Sequence, residues 1–229
     1  MNGLVRTWDN FDVYLFDVDG TLLNCSDAVH YFAFCRTLES IAGRPLTLDG
    51  VTAHGNTDIG ILRDAFALAG VGEERWRPQL PAITDAMCRY VEDRSHEICV
   101  TVMPQIHEVL HHLQHSGATL GIATGNLRRI GVIKLRRAGL LGYFRFGAFS
   151  DGFEYRSDVI AAAISKARQM AGEEAAICVV GDTPTDVSAA HQNELPVIAV
   201  ATGIHPFEEL EQAQPDLCIH SFADLLCTA

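Results

Sequence analysis

The chain is short of positive charge and has no long apolar run. Its 229 residues include 17 Lys and Arg against 29 Asp and Glu, which gives a formal net charge of −12. An acidic surface disfavours nucleic acid and anionic membranes as partners. No apolar stretch approaches the roughly 20 residues that a membrane-spanning helix needs, and residues 1–10 lack the apolar segment of a secretory signal. We therefore expect a cytoplasmic protein that binds neither nucleic acid nor a membrane.

The chain also lacks any pair of cysteines with CxxC spacing. Its seven cysteines are an odd number, which disfavours a disulfide framework and a zinc site and indicates reduced thiols. A small anion can still bind to so acidic a protein, because a local cation or metal reverses the field within one pocket. The sequence leaves the oligomeric state open between a monomer and a homodimer.

What the chain does contain is an alternation of short apolar runs and helical patterns. The runs predict six strands, at 12–17, 119–123, 145–149, 176–181, 196–201 and 217–220. The patterns between them predict helices, for example at 104–116, 126–139, 157–171, 184–193 and 206–213. Strand alternating with helix indicates βαβ units and a parallel sheet with helices on both faces. The predicted fold class is therefore α/β, with a Rossmann-like doubly wound parallel sheet.

Residues 24–100 interrupt this alternation. They contain no convincing strand, and their helical patterns lie at 27–42, 57–70 and 78–97. A chain of this length has room for one large domain or for a core and a smaller lid. We interpret residues 24–100 as an inserted, all-helical cap domain and residues 1–23 and 101–229 as the core.

Polar side chains follow three of the predicted strands. Asp17 and Asp19 stand at i and i+2 behind the first apolar run, so they point the same way in an extended chain. Two acids aimed at one place repel each other unless a cation or a shared reaction holds them there. Segments 124–126 and 181–186 end two further strands, and the ligand crevice of an open parallel sheet lies beyond its strands' carboxyl ends. The residues thus indicate a magnesium-assisted nucleophile with a neighbouring acid/base.

The combination of Asp-x-Asp-Gly-Thr (17–21), Thr-Gly-Asn (124–126) and Gly-Asp-Thr-x-x-Asp (181–186) resembles the haloacid dehalogenase superfamily. The resemblance covers nearly the whole chain and is to phosphatases with a helical cap, such as the phosphoglycolate phosphatase-like group. It implies hydrolysis of a small phosphomonoester metabolite, similar to phosphoglycolate, through an aspartyl-phosphate on Asp17, with Asp19 as general acid and base.

The resemblance also implies where the Mg²⁺ cofactor and the phosphoryl group bind. The carboxylate of Asp17, the backbone carbonyl of Asp19 and Asp182 would hold Mg²⁺, with Asp186 as a further ligand or acting through water. This agrees with the cation's own preferences, since Mg²⁺ takes oxygen ligands and keeps several waters. The phosphoryl oxygens would be held by the segment after the second core strand, next to a helix N-terminus, through Thr124 and the backbone N–H groups of Gly125 and Asn126.

In the cap, the resemblance points to the entry of the second helical pattern. Asn56 and Thr57 can reach a substrate there, and a helix N-cap is the equal alternative for either residue. Arg63, six residues beyond Thr57, is a candidate for binding a substrate carboxylate, with a surface ion pair as its alternative.

This chain departs from the superfamily's common site pattern at one position. A cation, usually Lys, bridges nucleophile and phosphoryl group, but the chain has two lysines, Lys134 and Lys166, and the usual position holds Arg156. Lys134 lies ten residues after Thr124, and the rise of about 1.5 Å per residue predicts a separation of roughly 15 Å from the site. We therefore favour Arg156, which would grip oxygens with a fork of donors, over Lys134 and Lys166.

Single sequence features argue against some other activities of the superfamily. The acid at Asp19 disfavours a dehalogenase, and the absence of Lys from residues 24–100 disfavours a phosphonatase that forms a Schiff base in its cap. A sugar phosphomutase stays as an alternative because it uses the same two aspartates. A catalytically weak relative that binds a metabolite or a protein partner is the second alternative.

Two further patterns have plain structural explanations. His107, His111 and His115 recur on one helix face beside His112, which permits a transition-metal site but is more typical of a solvated outer face. Cys25 follows the first motif and can be an oxidisable thiol or a small buried apolar residue, which is the interpretation we favour.

Overall fold

The structure, a computed structural model, describes residues 7–227. Residues 1–6, the start of the predicted core, and residues 228–229 lie outside the described residues. The described part contains eight strands, which are β1 (Val13–Phe16), β2 (Leu23–Cys25), β3 (Val100–Val102), β4 (Thr119–Ala123), β5 (Phe146–Ala148), β6 (Ile177–Gly181), β7 (Val197–Val200) and β8 (Leu217–Ile219).

Six of these strands form one parallel sheet in the order β5-β4-β1-β6-β7-β8. The predicted α/β class is confirmed, and each of the six predicted strands is observed with bounds that shift by at most one residue. All side chains of β1, β6 and β7 are buried, as expected of central strands covered on both faces. The strand β1 lies between β4 and β6, so the three motif-bearing strands are neighbours.

The described part also contains ten α-helices. They are α1 (Val29–Ala42), α2 (Asp58–Leu68), α3 (Glu73–Trp76), α4 (Leu80–Asp93), α5 (Ile106–His115), α6 (Arg128–Arg137), α7 (Arg156–Ala171), α8 (Pro184–Gln192), α9 (Phe207–Gln212) and α10 (Phe222–Leu226). Apolar clusters place α5 and α10 on one face of the sheet and α7, α8 and α9 on the other. Within residues 7–227, none of the helices combines the length and the apolarity that crossing a membrane requires.

Helices α1 to α4 share an apolar cluster of their own, separate from the two clusters on the sheet. Phe66 and Trp76 stack within it at a centroid distance of 5.4 Å. The expectation that residues 24–100 hold no strand is wrong at both ends, because β2 and β3 pair antiparallel there, with Leu23 opposite Val102. Strands of three residues are too short to show an alternating pattern. The exact division into core and cap stays a prediction.

Candidate active site

The loops after β1, β4 and β6 meet at one edge of the sheet, as their sequence predicts. They open into a cavity of about 300 Å³ that lies between the sheet and the helices α1 and α2. Nine of the residues predicted for the site line this cavity together, namely Asp17, Asp19, Asn56, Thr124, Gly125, Asn126, Lys134, Arg156 and Asp182.

Three carboxylates crowd together at the bottom of the site. Ligand oxygens of Asp17, Asp182 and Asp186 all lie within 4.8 Å of one another. Burial and, to a smaller extent, the charge of Asp186 raise the pKa of Asp17 to about 7, against the opposing field of Arg156. Burial and the charge of Asp17 also raise the pKa of Asp182 well above its usual range. The cluster therefore carries more negative charge than its protein neighbours balance.

The residues present fit a small divalent cation. The cluster offers oxygen ligands alone, which is the donor set that Mg²⁺ takes. Two glycines, Gly20 and Gly203, lie beside Asp182. No larger residue fits at either position, because a Cβ there would lie 2.1 or 1.8 Å, respectively, from Asp182 Oδ2. The Thr21 hydroxyl donates to Asp182 Oδ1 at 2.8 Å, so this carboxylate is held in a fixed orientation.

Asp186 is the most heavily bonded acid of the cluster. Its Oδ2 accepts hydrogen bonds from the backbone N–H and the hydroxyl of Thr183, at 3.1 and 2.7 Å, which closes a capping box at the start of α8. Its Oδ1 accepts from Arg156 Nε at 2.9 Å. Of the two predicted roles, these contacts favour the one in which Asp186 acts on the cation through water.

Arg156 occupies the position that the sequence predicts for the phosphoryl-binding cation. It is the first residue of α7 and is buried. Its Nη2 lies 2.9 Å from Asp17 Oδ1 and 2.8 Å from Asp186 Oδ1. Its Nη1 has no hydrogen-bond partner among the described residues, so a donor of this guanidinium is left over at the wall of the cavity.

Lys134 also lies in the site, and the expected separation of roughly 15 Å is wrong. Its Nζ is 2.7 and 2.9 Å from the two carboxylate oxygens of Asp19. The rise along a helix measures distance from its first turn and takes no account of side-chain direction. Because α6 begins only at Arg128 and helical side chains lean toward the N-terminus, the long Lys134 side chain reaches back to the cavity.

Asn126 links the two motif loops. Its Nδ2 donates to Asp19 Oδ2 at 2.7 Å and to Thr124 Oγ1 at 2.8 Å, and its Oδ1 accepts from Lys134 Nζ at 2.8 Å. Burial alone would raise the pKa of Asp19, but the Lys134 ammonium and the Asn126 amide outweigh it and hold that pKa below its usual range. The two acids of the first motif thus differ in the direction of their pKa shifts.

Comparison with known proteins agrees with this geometry. The profile of the haloacid dehalogenase-like hydrolases matches residues 14–200, which is most of the chain. The chain belongs to the haloacid dehalogenase-like hydrolase family.

Relatives of this hydrolase span nearly its full length. It is 28% identical over 218 residues to the phosphoglycolate phosphatase of Agrobacterium fabrum, covering 92% of this chain and 89% of that protein. It is 26% identical to pyrophosphatase PpaX of Anoxybacillus flavithermus, over 95% and 96% of the two chains. Its fold is similar to the crystal structure of a hydrolase from Pseudomonas syringae, with a TM-score of 0.69 at 20% identity over 95% and 96% of the two chains.

The predicted cap residues of the hydrolase have mostly structural partners. Thr57 is fully buried and caps α2 by accepting from Gly60 N at 2.9 Å, which is the N-cap alternative. Asn56 lines the cavity, but its Nδ2 donates to Asp64 Oδ2 at 3.0 Å and its Oδ1 accepts from Thr57 N at 2.8 Å. Arg63 pairs with Asp64 at 2.8 Å and lies 3.6 Å from Glu154, so the ion-pair alternative describes it.

Two cap residues that the sequence did not single out reach the site. His30 Nδ1 lies 3.3 Å from Lys134 Nζ, and its Nε2 lies 3.3 Å from Asp58 Oδ2. Asp58 Oδ2 also accepts from the backbone N–H of Leu127 at 2.7 Å, which ties the cap to the loop after β4. A lone His within an amphipathic helix pattern gives no signal of such a role, and Asp58 reads as an ordinary first-turn acid.

The remaining candidates lie elsewhere or have low reactivity. Lys166 donates to the carbonyl of Gly147 at 2.6 Å and does not line the cavity. His107 and His111 are exposed and both contact the Tyr143 hydroxyl, at 3.0 and 2.9 Å, which agrees with an outer helix face. Cys25 is half-buried at the cavity rather than fully buried, and burial raises the pKa of its thiol to about 12, which disfavours the reactive thiolate.

Proposed function

We propose that this hydrolase is a Mg²⁺-dependent phosphatase that acts on a small phosphomonoester. The observation that carries the proposal is the pair Asp17 and Asp19 at the end of β1, each in contact with its own cation, Arg156 and Lys134. Its relatives include a phosphoglycolate phosphatase and a pyrophosphatase, which supports chemistry at phosphorus.

In the first step, an oxygen of Asp17 attacks phosphorus and the bond to the leaving oxygen breaks. Asp19 donates a proton to that oxygen, so the product leaves as a neutral alcohol. Asp17 then carries the phosphoryl group as an acyl phosphate. The pKa of Asp19 lies below its usual range while Lys134 contacts it alone. A phosphoryl dianion beside Lys134 would share that ammonium and raise the pKa of Asp19 toward the value a general acid needs.

In the second step, Asp19 takes a proton from a water molecule, and the water oxygen attacks phosphorus. The bond between phosphorus and the Asp17 oxygen breaks, so phosphate is released and both carboxyl groups return to their starting state. This step requires that water can reach the Asp19 carboxylate while it lies beside Asp17. Its side chain is 40% exposed, against 12% for Asp17, which leaves Asp19 accessible to water.

The other residues of the site hold the charge of the phosphoryl group. Arg156, which contacts Asp17, and Lys134, which contacts Asp19, would supply the cationic donors, and Thr124 with the backbone N–H groups of Gly125 and Asn126 would supply further ones. Mg²⁺ would be held by the Asp17 carboxylate, the Asp19 carbonyl and Asp182, with Asp186 acting through water, and when bound it would neutralise the acid cluster and the phosphate charge.

Hydrolysis of p-nitrophenyl phosphate by the purified protein tests the proposal. We expect turnover that stops when EDTA removes the divalent cation and that Asp17→Asn abolishes. Asp93→Asn, an exposed acid of α4 outside the cavity, is the matched control and should turn over like the parent. Undiminished phosphate release by Asp17→Asn would refute the assignment of the nucleophile.

The same assay with a hexose 1-phosphate addresses the two alternatives. A phosphatase releases inorganic phosphate, whereas a sugar phosphomutase yields the hexose 6-phosphate. A catalytically weak relative gives neither product with any ester.

A further inference from the structure

The cavity has two halves of very different character. All the charged groups that the proposed reaction uses lie on the core side, in the segments after β1 and β6, on α6 and at the starts of α7 and α8. The wall contributed by the cap is built mainly from uncharged side chains, which are Tyr31, Phe34, Leu48, Ala53 and Ile61. The leaving group of a substrate whose phosphoryl group lies against Asp17 would face this wall.

The cations that reach the cavity are already paired. Among the described lining residues, Lys134 and Arg156 are the lysine and arginine side chains present. Lys134 lies 2.7 Å from Asp19, and Arg156 lies 2.9 Å from Asp17. Both are needed for the phosphoryl group itself, so neither is free to bind a second anionic group on the substrate.

Two arginines of the cap form ion pairs outside the cavity. Arg63 pairs with Asp64 and Glu154, and Arg77 pairs with Glu73 and Glu154. Neither lines the cavity. Asp64, Glu73 and Glu154 together balance the charge of both guanidinium groups outside the cavity.

The two histidines of the wall do not replace these cations. Both ring nitrogens of His30 already face protein groups, since Nδ1 lies 3.3 Å from Lys134 Nζ and Nε2 lies 3.3 Å from Asp58 Oδ2. His54 is exposed at the rim, where water screens its interaction with a bound group.

We propose that the substrate is the phosphate monoester of a small, uncharged alcohol with an apolar or aromatic body. This inference rests on the proposed function. A carboxylate or second phosphate at the cap wall would lose its hydration without gaining a cation, beside the carboxylates of Asp19 and Asp58. An apolar group would instead bury surface against Phe34 and Ile61. The cavity of about 300 Å³ is at the small end for ligand pockets, so it suits one ring or a short chain.

A matched pair of esters tests the charge preference. 4-Carbamoylphenyl phosphate and 4-carboxyphenyl phosphate have nearly the same shape and differ in the charge of the group that faces the cap. At about pH 8, where an ordinary imidazole is neutral, we expect kcat/KM to be at least about tenfold higher for the carbamoyl ester. 2-Phosphoglycolate and pyrophosphate, which each carry a second anionic group, should be poor substrates as well. Equal or better turnover of the carboxylate ester would overturn the inference.

A charge placed on the cap wall tests the location of the preference. Tyr31→Arg puts a cation at a lining residue that is 39% exposed, and Phe32→Arg puts one at its neighbour, which is 51% exposed and does not line the cavity. Tyr31→Arg should shift the ratio of kcat/KM values toward the carboxylate ester by about tenfold, whereas Phe32→Arg should leave it unchanged. An unchanged ratio in Tyr31→Arg, or an equal shift in both variants, would contradict the assignment of this wall.

The failures of the two proposals differ. Release of phosphate from p-nitrophenyl phosphate together with a preference for anionic esters refutes the substrate class and leaves the phosphatase standing. No release from any ester, although the protein is folded by circular dichroism, refutes the phosphatase and the substrate class with it.

Discussion

At the scale of single residues, the site separates two acids by giving each a different cation. Lys134 and Asn126 hold the pKa of Asp19 below its usual range against the effect of burial, while burial raises the pKa of Asp17 to about 7 in spite of Arg156. In the proposed reaction Asp17 is the nucleophile and Asp19 the acid/base, and the two roles call for different electrostatic surroundings.

The two lysines of the chain provide a matched test of this division. Lys134→Met leaves Asp19 without its ion pair and removes a donor from the phosphoryl group, so we expect kcat to fall by about 100-fold. Lys166→Met removes a contact to the Gly147 carbonyl away from the cavity and should leave kcat within about twofold of the parent. Steady-state kinetics on both variants checks this, and equal losses in the two would contradict the role of Lys134.

Sequence reasoning located these residues unevenly. The aspartates follow from motifs at the ends of predicted strands, and Arg156 follows from the position that the superfamily resemblance gives to the cation. Lys134 was misjudged because distance along a helix axis ignores side-chain reach. His30 had no signal at all, since its contacts with Lys134 and Asp58 depend on how α1 packs over the sheet.

At the scale of elements, the loop after β4 closely approaches the loop before α2, which we call the cap loop. The carbonyl of Gly125 accepts from Asp58 N at 2.7 Å, and a Cβ at Gly125 would lie 2.1 Å from the backbone oxygen of Asn56. The two loops therefore fit together only when residue 125 has no side chain.

Gly125→Ala tests that close approach. The methyl group must displace the backbone of the cap loop, so we expect a loss of about 1–3 kcal/mol in the free energy of unfolding and a fall in kcat of at least about tenfold. Gly142→Ala is the control, because a Cβ there meets nothing within 4 Å. Chemical denaturation and steady-state kinetics measure both quantities, and a Gly125→Ala protein as stable and active as Gly142→Ala would show that the loops are free to separate.

The elements themselves were predictable where they are long or fully buried. Continuous apolar runs predict the central strands, and periodic patterns predict the long helices. The strands β2 and β3 were not predicted because three residues show no period, and their pairing joins positions far apart in sequence. The helices α3 and α10 were not predicted because they too are short.

At the scale of the whole molecule, charge governs both stability and cation binding. The pKa of Asp17 is raised from 3.8 to about 7, and that of Asp182 lies well above its usual range. Between about pH 4 and pH 7 the metal-free folded protein therefore keeps protons that the unfolded chain has released. Since the folded state then binds more protons, the contribution of these groups to the free energy of unfolding falls as pH rises through this range.

Mg²⁺ should reverse this trend, because it competes with the same protons for the same oxygens. We expect the rise in Tm on adding excess MgCl₂ to be larger at about pH 8 than at about pH 5. Asp182→Asn, which removes one charge of the cluster, should reduce the Mg²⁺-induced rise at the higher pH. Scanning fluorimetry measures these shifts, and a rise in Tm that is equal at both pH values, or equal in Asp182→Asn, would contradict a cation site in the cluster.

The most direct test of the whole account is to locate the phosphoryl group on the enzyme during turnover. Borohydride reduces an acyl phosphate to an alcohol, so quenching the enzyme with borohydride while it hydrolyses p-nitrophenyl phosphate should convert Asp17 to homoserine. Peptide mass spectrometry is expected to find homoserine at position 17 and unmodified aspartate at positions 19, 182 and 186. Homoserine at another of these positions, or none at all while phosphate is being released, would contradict the account.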